Sequence, residues 1–255
     1  MKKSLVILLL FCCIQTKIFS QSVYTLDLRR DLIIGAISLG IGIAPFFIDS
    51  EPERISGILN KNEVNSFDRS LMFSYKRNLD LFSDNSPYAL ALLPVISMIP
   101  NFKNGNIVLT YGIMYSQALL LNYGTVFTLK GAINKYRPYM YDAGIVRGKE
   151  NDYHNSFPSS AASFAFLSAT FLSVTFSQEF PDSKWKLPII LGSYTMAAGV
   201  AAGRLYSGTH FLSDVLVGAV IGSLYGGLMP LLHLNNSNKL TVLPNANGIG
   251  VSLRF

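Results

Sequence analysis

His210 and Asp214 stand four residues apart at the start of the last long apolar run of a 255-residue chain. On a helix that spacing puts both on one face, where the carboxylate can accept the proton of one ring nitrogen and leave the other nitrogen as a nucleophile. An interfacial helix cap with a satisfied histidine has the same spacing, so the pair alone leaves both readings open. Arg204 closes the apolar run before it, and Lys130 and Arg137, seven residues apart with Pro138 next, close an earlier one. If the helix continued through them, two turns would project both cations from one face as an anion clamp, although basic residues at a membrane helix end also serve as interfacial anchors. Phe157-Pro158-Ser159-Ser160 leads into another apolar run. There Ser159 and Ser160 at a helix start, with free backbone N–H groups, make either an anion site or an ordinary N-cap. All three groups fall at run ends on one side of the chain's successive crossings, so cationic clamps, an anion-binding helix start and an oriented histidine converge.

The chemistry that such a set offers uses side chains alone. Cys12 and Cys13 both lie in the first apolar run, so no disulfide framework or cysteine metal site exists beyond it. The three histidines, His154, His210 and His233, form no HExxH and no cluster with acidic residues at ligand spacing. Neither a catalytic metal nor a cofactor is expected. A formal charge of +6 suits anionic headgroups or phosphate, though basic loops flanking membrane helices give the same excess.

The elements that must position these residues are apolar. Half of the residues are hydrophobic and 14% are charged, against roughly a quarter charged in a typical globular chain. Together with a positive mean hydropathy, this excludes disorder and points to segments that need lipid. Residues 1–20 read as a secretory signal, with Lys2 and Lys3 before an apolar core and cleavage after Ser20. Six apolar stretches follow: Leu32 to Ile48, Tyr88 to Phe102, Ile107 to Leu129, Ser159 to Ser177, Leu187 to Gly203 and Val215 to Leu234. They predict six membrane spans in a domain over residues 21–239, the second kinked at Pro94 and Pro100. Phe67, Leu71, Tyr75, Leu79 and Phe82 recur at helical spacing and predict an amphipathic surface helix. Residues 240–255 alternate apolar and polar around Asn245-Ala246-Asn247-Gly248, which predicts a short C-terminal β-hairpin. The fold class is therefore all-α, a six-helix transmembrane bundle with that hairpin appended.

Lys130-x6-Arg137-Pro138, Pro158-Ser159 and Arg204-x5-His210-x3-Asp214 resemble, in order, the three motifs of the type 2 phosphatidic acid phosphatase (PAP2) superfamily. Phe180-Pro181-Asp182-Ser183-Lys184-Trp185-Lys186 and the C-terminal hairpin resemble members from Bacteroidetes-type bacteria. The resemblance implies a metal-free membrane phosphatase in which His210 attacks phosphorus, Asp214 orients it, and Lys130, Arg137, Ser159, Ser160 and Arg204 hold the phosphate. It implies a lipid phosphate or diphosphate as substrate, a bacterial inner membrane location with a periplasmic site, and no nucleic-acid partner. The chain departs from the pattern twice. Gly203 precedes Arg204 where a serine is usual, and Ser160-Ala161 stand where the family has Gly-His, so the usual general-acid histidine is Ala161. That departure favours diphosphates, whose leaving group needs little protonation. It also sustains an alternative, a catalytically inactive relative that binds anionic lipid headgroups.

Overall fold

The computed structural model describes residues 23–48, 57–99, 104–142, 144, 146 and 152–235, and the backbone of 240–245 and 248–253. The expected signal segment lies outside the described residues. Helix α1 (Leu28–Ile43) starts at Asp27, whose carboxylate accepts the N–H of Arg30, and tightens into a 3-10 turn at Ala44–Phe47. Short α2 (Ser66–Arg69) and then α3 (Arg77–Leu90) and short α4 (Val95–Met98) lead to α5 (Gly105–Ile133). Helices α6 (Ser160–Glu179), α7 (Lys186–Tyr206) and α8 (Leu212–Leu232) complete the body. Between residues 23 and 235, no strand forms among the described residues beyond an isolated Tyr24–Leu234 bridge. After it the backbone of β1 (Leu240–Asn245) pairs antiparallel with β2 (Gly248–Leu253), Leu240 opposite Leu253 and Asn245 opposite Gly248.

Five of the six apolar stretches coincide with α1, α5, α6, α7 and α8. By length and composition, however, three helices among the described residues can cross a membrane: Leu28–Phe47, Ser160–Glu179 and Leu212–Leu232. Three of the six expected spans therefore meet that criterion. Helix α5 carries polar residues inside an apolar frame. Three of these bond to other helices. Asn122 Oδ1 accepts from Ser163 Oγ, and Thr125 Oγ1 and Tyr225 Oη lie 2.8 Å apart, as do Tyr115 Oη and Ser168 Oγ. Interhelical hydrogen bonds of this kind satisfy polar groups where water is absent.

The stretch Tyr88 to Phe102 is not one helix. Helix α3 ends at Leu90, a turn spans 91–94, and α4 is a single turn after Pro94. Together 77–98 still pass from one end of the bundle to the other, because Asp80 meets Arg204 at the first end and Ser97 meets Thr175 at the other. The amphipathic helix expected from Phe67 to Phe82 is likewise broken. Residues 72–76 form no helix, and Lys76, itself extended, donates its N–H to Ser207 O at 2.9 Å, so tertiary pairing with the α7–α8 loop overrides the helical periodicity.

The tightest seam is between α6 and α8. Gly218, Gly222 and Gly226 recur every fourth residue, and a Cβ on any of them would collide with the backbone oxygens of Ser159, Ser163 and Leu167. The opposite face of α8 exposes Leu216, Val220 and Leu224, the apolar row that a lipid-facing surface requires. At the end of the bundle away from Arg204, His233 Nε2 lies 3.1 Å from Asp31 Oδ1, and Arg30 Nη1 donates to Leu232 O at 3.0 Å, tying the start of α1 to the end of α8.

The seam makes a direct prediction. Gly222→Val separates α6 from α8 and yields protein with no cooperative unfolding transition in detergent. Gly192→Ala, on α7 with open space at its Cβ position, gains about 0.5–1 kcal/mol from helix propensity. Thermal melts of the two variants against the parent check both outcomes.

Candidate active site

The site is assembled where α5 stops. Asn134 takes the left-handed conformation, φ 49°, and its N–H donates to Lys130 O, which ends the helix at Ile133. The two-turn spacing from Lys130 to Arg137 is therefore not realised on a helix face. Residues 135–137 leave extended and pair with 153–156: Arg137 N–H donates to Tyr153 O at 2.8 Å and Ser156 N–H to Lys135 O at 3.0 Å. Both cations still reach one place. Lys130 Nζ donates to Asn155 O, while Arg137 Nη2 pairs with Asp152 Oδ2 at 2.7 Å and its Nη1 lies 3.0 Å from His210 Nε2.

His210 sits in the loop between α7 and α8 and is buried. Its Nδ1 is 2.7 Å from Ser156 O. A carbonyl can only accept, so Nδ1 carries the proton and Nε2 presents its lone pair toward Arg137. Burial, and then the charges of Arg137, Arg204 and Lys130, hold the imidazole pKa well below the ordinary histidine value, so the ring is neutral.

Asp214, at the third position of α8, is not the direct acceptor that its spacing predicts. Its Oδ2 is 3.6 Å from Nδ1, beyond hydrogen-bond length. It accepts instead from Ser156 Oγ and, at 2.9 Å, from Phe211 N–H. Asp214 thus orients His210 through Ser156, whose backbone oxygen takes the ring proton. Its other oxygen accepts from Lys135 Nζ at 2.7 Å, and Lys135 also bonds Asp68 Oδ2 at 2.8 Å. Asp68 is anchored further by Ser213 N–H at 2.9 Å and Ser213 Oγ at 2.8 Å. Burial raises the Asp68 pKa, but the bonds from Lys135, Ser213 and Asn65 outweigh it and hold the carboxyl below the usual range.

Arg204 reaches the same end of the bundle from α7. Its Nη1 donates to Asp80 Oδ1 at 2.8 Å and pairs with Asp84 at 3.2 Å, both on α3. Gly203 is explained by the same helix, since a Cβ there would lie 2.8 Å from Ser83 Cβ. Helix α3 occupies the room that a serine side chain at 203 would need.

Ser159 caps α6, with its Oγ accepting from Ala162 N–H at 3.4 Å and its own N–H donating to Asp214 O at 2.9 Å. Ser160 is the first residue of α6 and half-buried. Ala161 turns away into an apolar seam with Ala165, Ala169, Ala197 and Val200, flanked by Leu90. Sequence reasoning missed Lys135, Ser156, Asp152, Asp68 and Asp80. The first three lie within or beside the quoted motifs, but Asp68 and Asp80 come from a segment that no motif reaches.

Lys135→Ala strands two buried carboxylates, and we expect it to cost about 3–5 kcal/mol. Lys61→Ala, which breaks the exposed Lys61–Asp142 pair, changes stability by less than about 0.5 kcal/mol. Unfolding in detergent at neutral pH compares them. Because the folded pKa of Asp68 lies below its unfolded value, its contribution is present above the ordinary carboxylate pKa of about 4 and is lost as pH falls through the folded value.

No curated protein matches the chain. A transmembrane PAP2-type phosphatidylglycerolphosphate phosphatase from Bacillus subtilis, solved by crystallography, is similar over 90% of this chain and 94% of that chain, with 18% identity and a TM-score of 0.43. The family model described as the PAP2 superfamily matches residues 111–238. That span is half of the chain and contains Lys130, Arg137, Ser159, Arg204, His210 and Asp214, and the chain belongs to the PAP2 superfamily.

Proposed function

We propose that the protein is a membrane phosphatase that hydrolyses a lipid phosphate or diphosphate through a phosphohistidine on His210. The observation that carries the reading is the state of that ring: neutral, protonated at Nδ1 by its bond to Ser156 O, with the Nε2 lone pair against the Arg137 guanidinium. A phosphate entering this site exchanges places with Nε2 on Arg137, so that the cation holds a phosphate oxygen and the lone pair faces phosphorus. The N–P bond forms as the bond to the leaving oxygen breaks. The Nδ1–H bond to Ser156 O then carries the positive charge that develops on the ring, and water releases phosphate from Nε2. Lys130 is a second donor to the phosphate oxygens, and Ser159 and Ser160 place the start of α6 against it. Arg204 contributes through its field, with one amino group committed to α3.

The proposed setting is a bacterial inner membrane crossed several times, with the site facing the periplasm. Three apolar helices and family membership support a membrane location. A second reading, a catalytically inactive lipid-headgroup binder, is favoured by one observation: position 161, where the family carries its acid, is an alanine packed into an apolar seam.

Phosphate release by purified protein from phosphatidic acid, phosphatidylglycerol phosphate and polyprenyl diphosphate tests the reading. Wild type turns over at least one of them, and His210→Ala loses ~10⁴-fold or more. Binding to anionic vesicles without any release establishes the second reading instead. Because burial and three cations keep His210 neutral, the acid limb of kcat/KM attributable to it lies below the ordinary histidine pKa of about 6.5. Orientation has its own test. A single cysteine at exposed Ser66, beside Asp68, reacts with an impermeant maleimide in outer-membrane-permeabilised cells; reaction only after lysis places the site in the cytoplasm.

A further inference from the structure

The phosphatase reading leaves the leaving group without a proton donor at position 161, and the structure holds a histidine elsewhere at the same site. Residues 152–156 form one wall of it. The carbonyl and carboxylate of Asp152 hold Arg137, Asn155 O holds Lys130, and Ser156 O holds the ring of His210. His154 lies between these contacts. It is 7% exposed, and its Nδ1 is fully buried with no hydrogen-bond partner. A buried ring nitrogen without a protein partner costs stability, and in native proteins such groups recur where a catalytic role or a bound solvent molecule needs them. The ring of Tyr153 packs edge-on against it at 5.2 Å and limits its rotation. Arg137 and Lys130 are close enough to act on the imidazole electrostatically and, with burial as the larger cause, hold its pKa below the ordinary value, while Asp152 opposes them.

We infer that His154 is the general acid of the reaction, donating a proton to the leaving oxygen from the 152–156 segment in place of the histidine missing at position 161. The inference rests on the phosphohistidine reading above. In the first step the N–P bond to His210 Nε2 forms, the P–O bond breaks, and the imidazolium proton of His154 passes to the departing alkoxide, which leaves as an alcohol. In the second step neutral His154 takes a proton from the water that attacks phosphorus, and phosphate departs from His210. The proton count closes over the cycle. Protonation before the first step is favoured by the substrate itself, because a bound phosphate dianion offsets the charges of Lys130 and Arg137 beside the ring. With this acid in place the enzyme takes phosphomonoesters of poor leaving groups, lipid alcohols included, and is not confined to diphosphates.

The experiment is a leaving-group comparison on the full-length protein in detergent, with dioctanoyl phosphatidic acid and para-nitrophenyl phosphate as substrates. Nitrophenolate leaves without protonation, whereas the lipid alkoxide does not. His154→Gln is expected to lower kcat/KM for phosphatidic acid, which reports the steps up to leaving-group departure, by about 10²- to 10⁴-fold and to change kcat/KM for nitrophenyl phosphate by less than about tenfold. Equal losses of kcat/KM on both substrates, or no loss of kcat/KM on phosphatidic acid, overturn the assignment. If His154→Gln does not fold, the wild type alone decides. A steep fall in kcat/KM across alkyl and aryl phosphates as leaving-group pKa rises overturns the proposal, and a shallow dependence supports it. A wild type inert toward every substrate, with no phosphorylated His210, overturns the phosphatase reading itself, an outcome separate from loss of His154 function in an active enzyme.

Discussion

One buried carboxylate organises the site. Asp214 receives Lys135 on one oxygen and Ser156 Oγ with Phe211 N–H on the other, and its backbone oxygen takes the N–H of Ser159. Four chain segments therefore meet at one residue at the start of α8: the exit from α5, the 152–156 wall, the cap of α6 and the loop that carries His210. A charge removed from water this completely is tolerated only when paired and fully hydrogen-bonded. That requirement turns one residue into a positional reference for the others. The orientation of His210 follows from it at one remove, since Ser156 is fixed by Asp214 and Ser156 O fixes the ring.

The cations around this centre are nearly all compensated before any ligand arrives. Lys135 faces Asp68 and Asp214, Arg137 faces Asp152, and Arg204 faces Asp80 and Asp84. Lys130 instead donates to a neutral carbonyl. In the proposed reaction, anion binding here is an exchange of partners and gains less than it would from bare charge, because each guanidinium would share itself between a carboxylate and the incoming phosphate. On that reading discrimination would come from geometry: Arg137 already points one nitrogen at His210, so a tetrahedral anion held by it would lie where Nε2 can reach phosphorus.

Behind the site, the bundle achieves closeness by omission of side chains. Gly218, Gly222 and Gly226 let α8 lie against the backbone of α6, and Gly203 admits Ser83 of α3. Where lipid surrounds a bundle, apolar area exerts little pull between helices, so backbone approach and buried polar pairs such as Asn122–Ser163 and Thr125–Tyr225 hold it together. Rigid helix contacts of this kind keep the ends of α5, α6, α7 and α8 in register, and the site is made only of those ends and their loops.

Much of this was legible in the chain itself. The five continuous long helices follow from apolar runs bounded by caps such as Asn104 and Ser159, and the spacing of Lys130, Arg137, Arg204, His210 and Asp214 already implied an anion site, because those residues lie at run ends that must share a side. The glycines of α8 recur at a four-residue period in the chain, but that period does not say which helix they meet. What local pattern could not carry was anything decided across segments. The Phe67–Phe82 periodicity gives way to backbone pairing with the α7–α8 loop, and the Lys130–Arg137 helix face gives way to the left-handed turn at Asn134. The acceptor for His210 is a carbonyl 54 positions away in sequence, and Arg204 is shared with carboxylates of a helix more than 100 positions earlier. The sequence alone determined which residue types reach the site end of the bundle. Only the tertiary structure decided which of them touch, because a buried charge takes its partner from whatever packing brings within hydrogen-bond reach, regardless of separation along the chain.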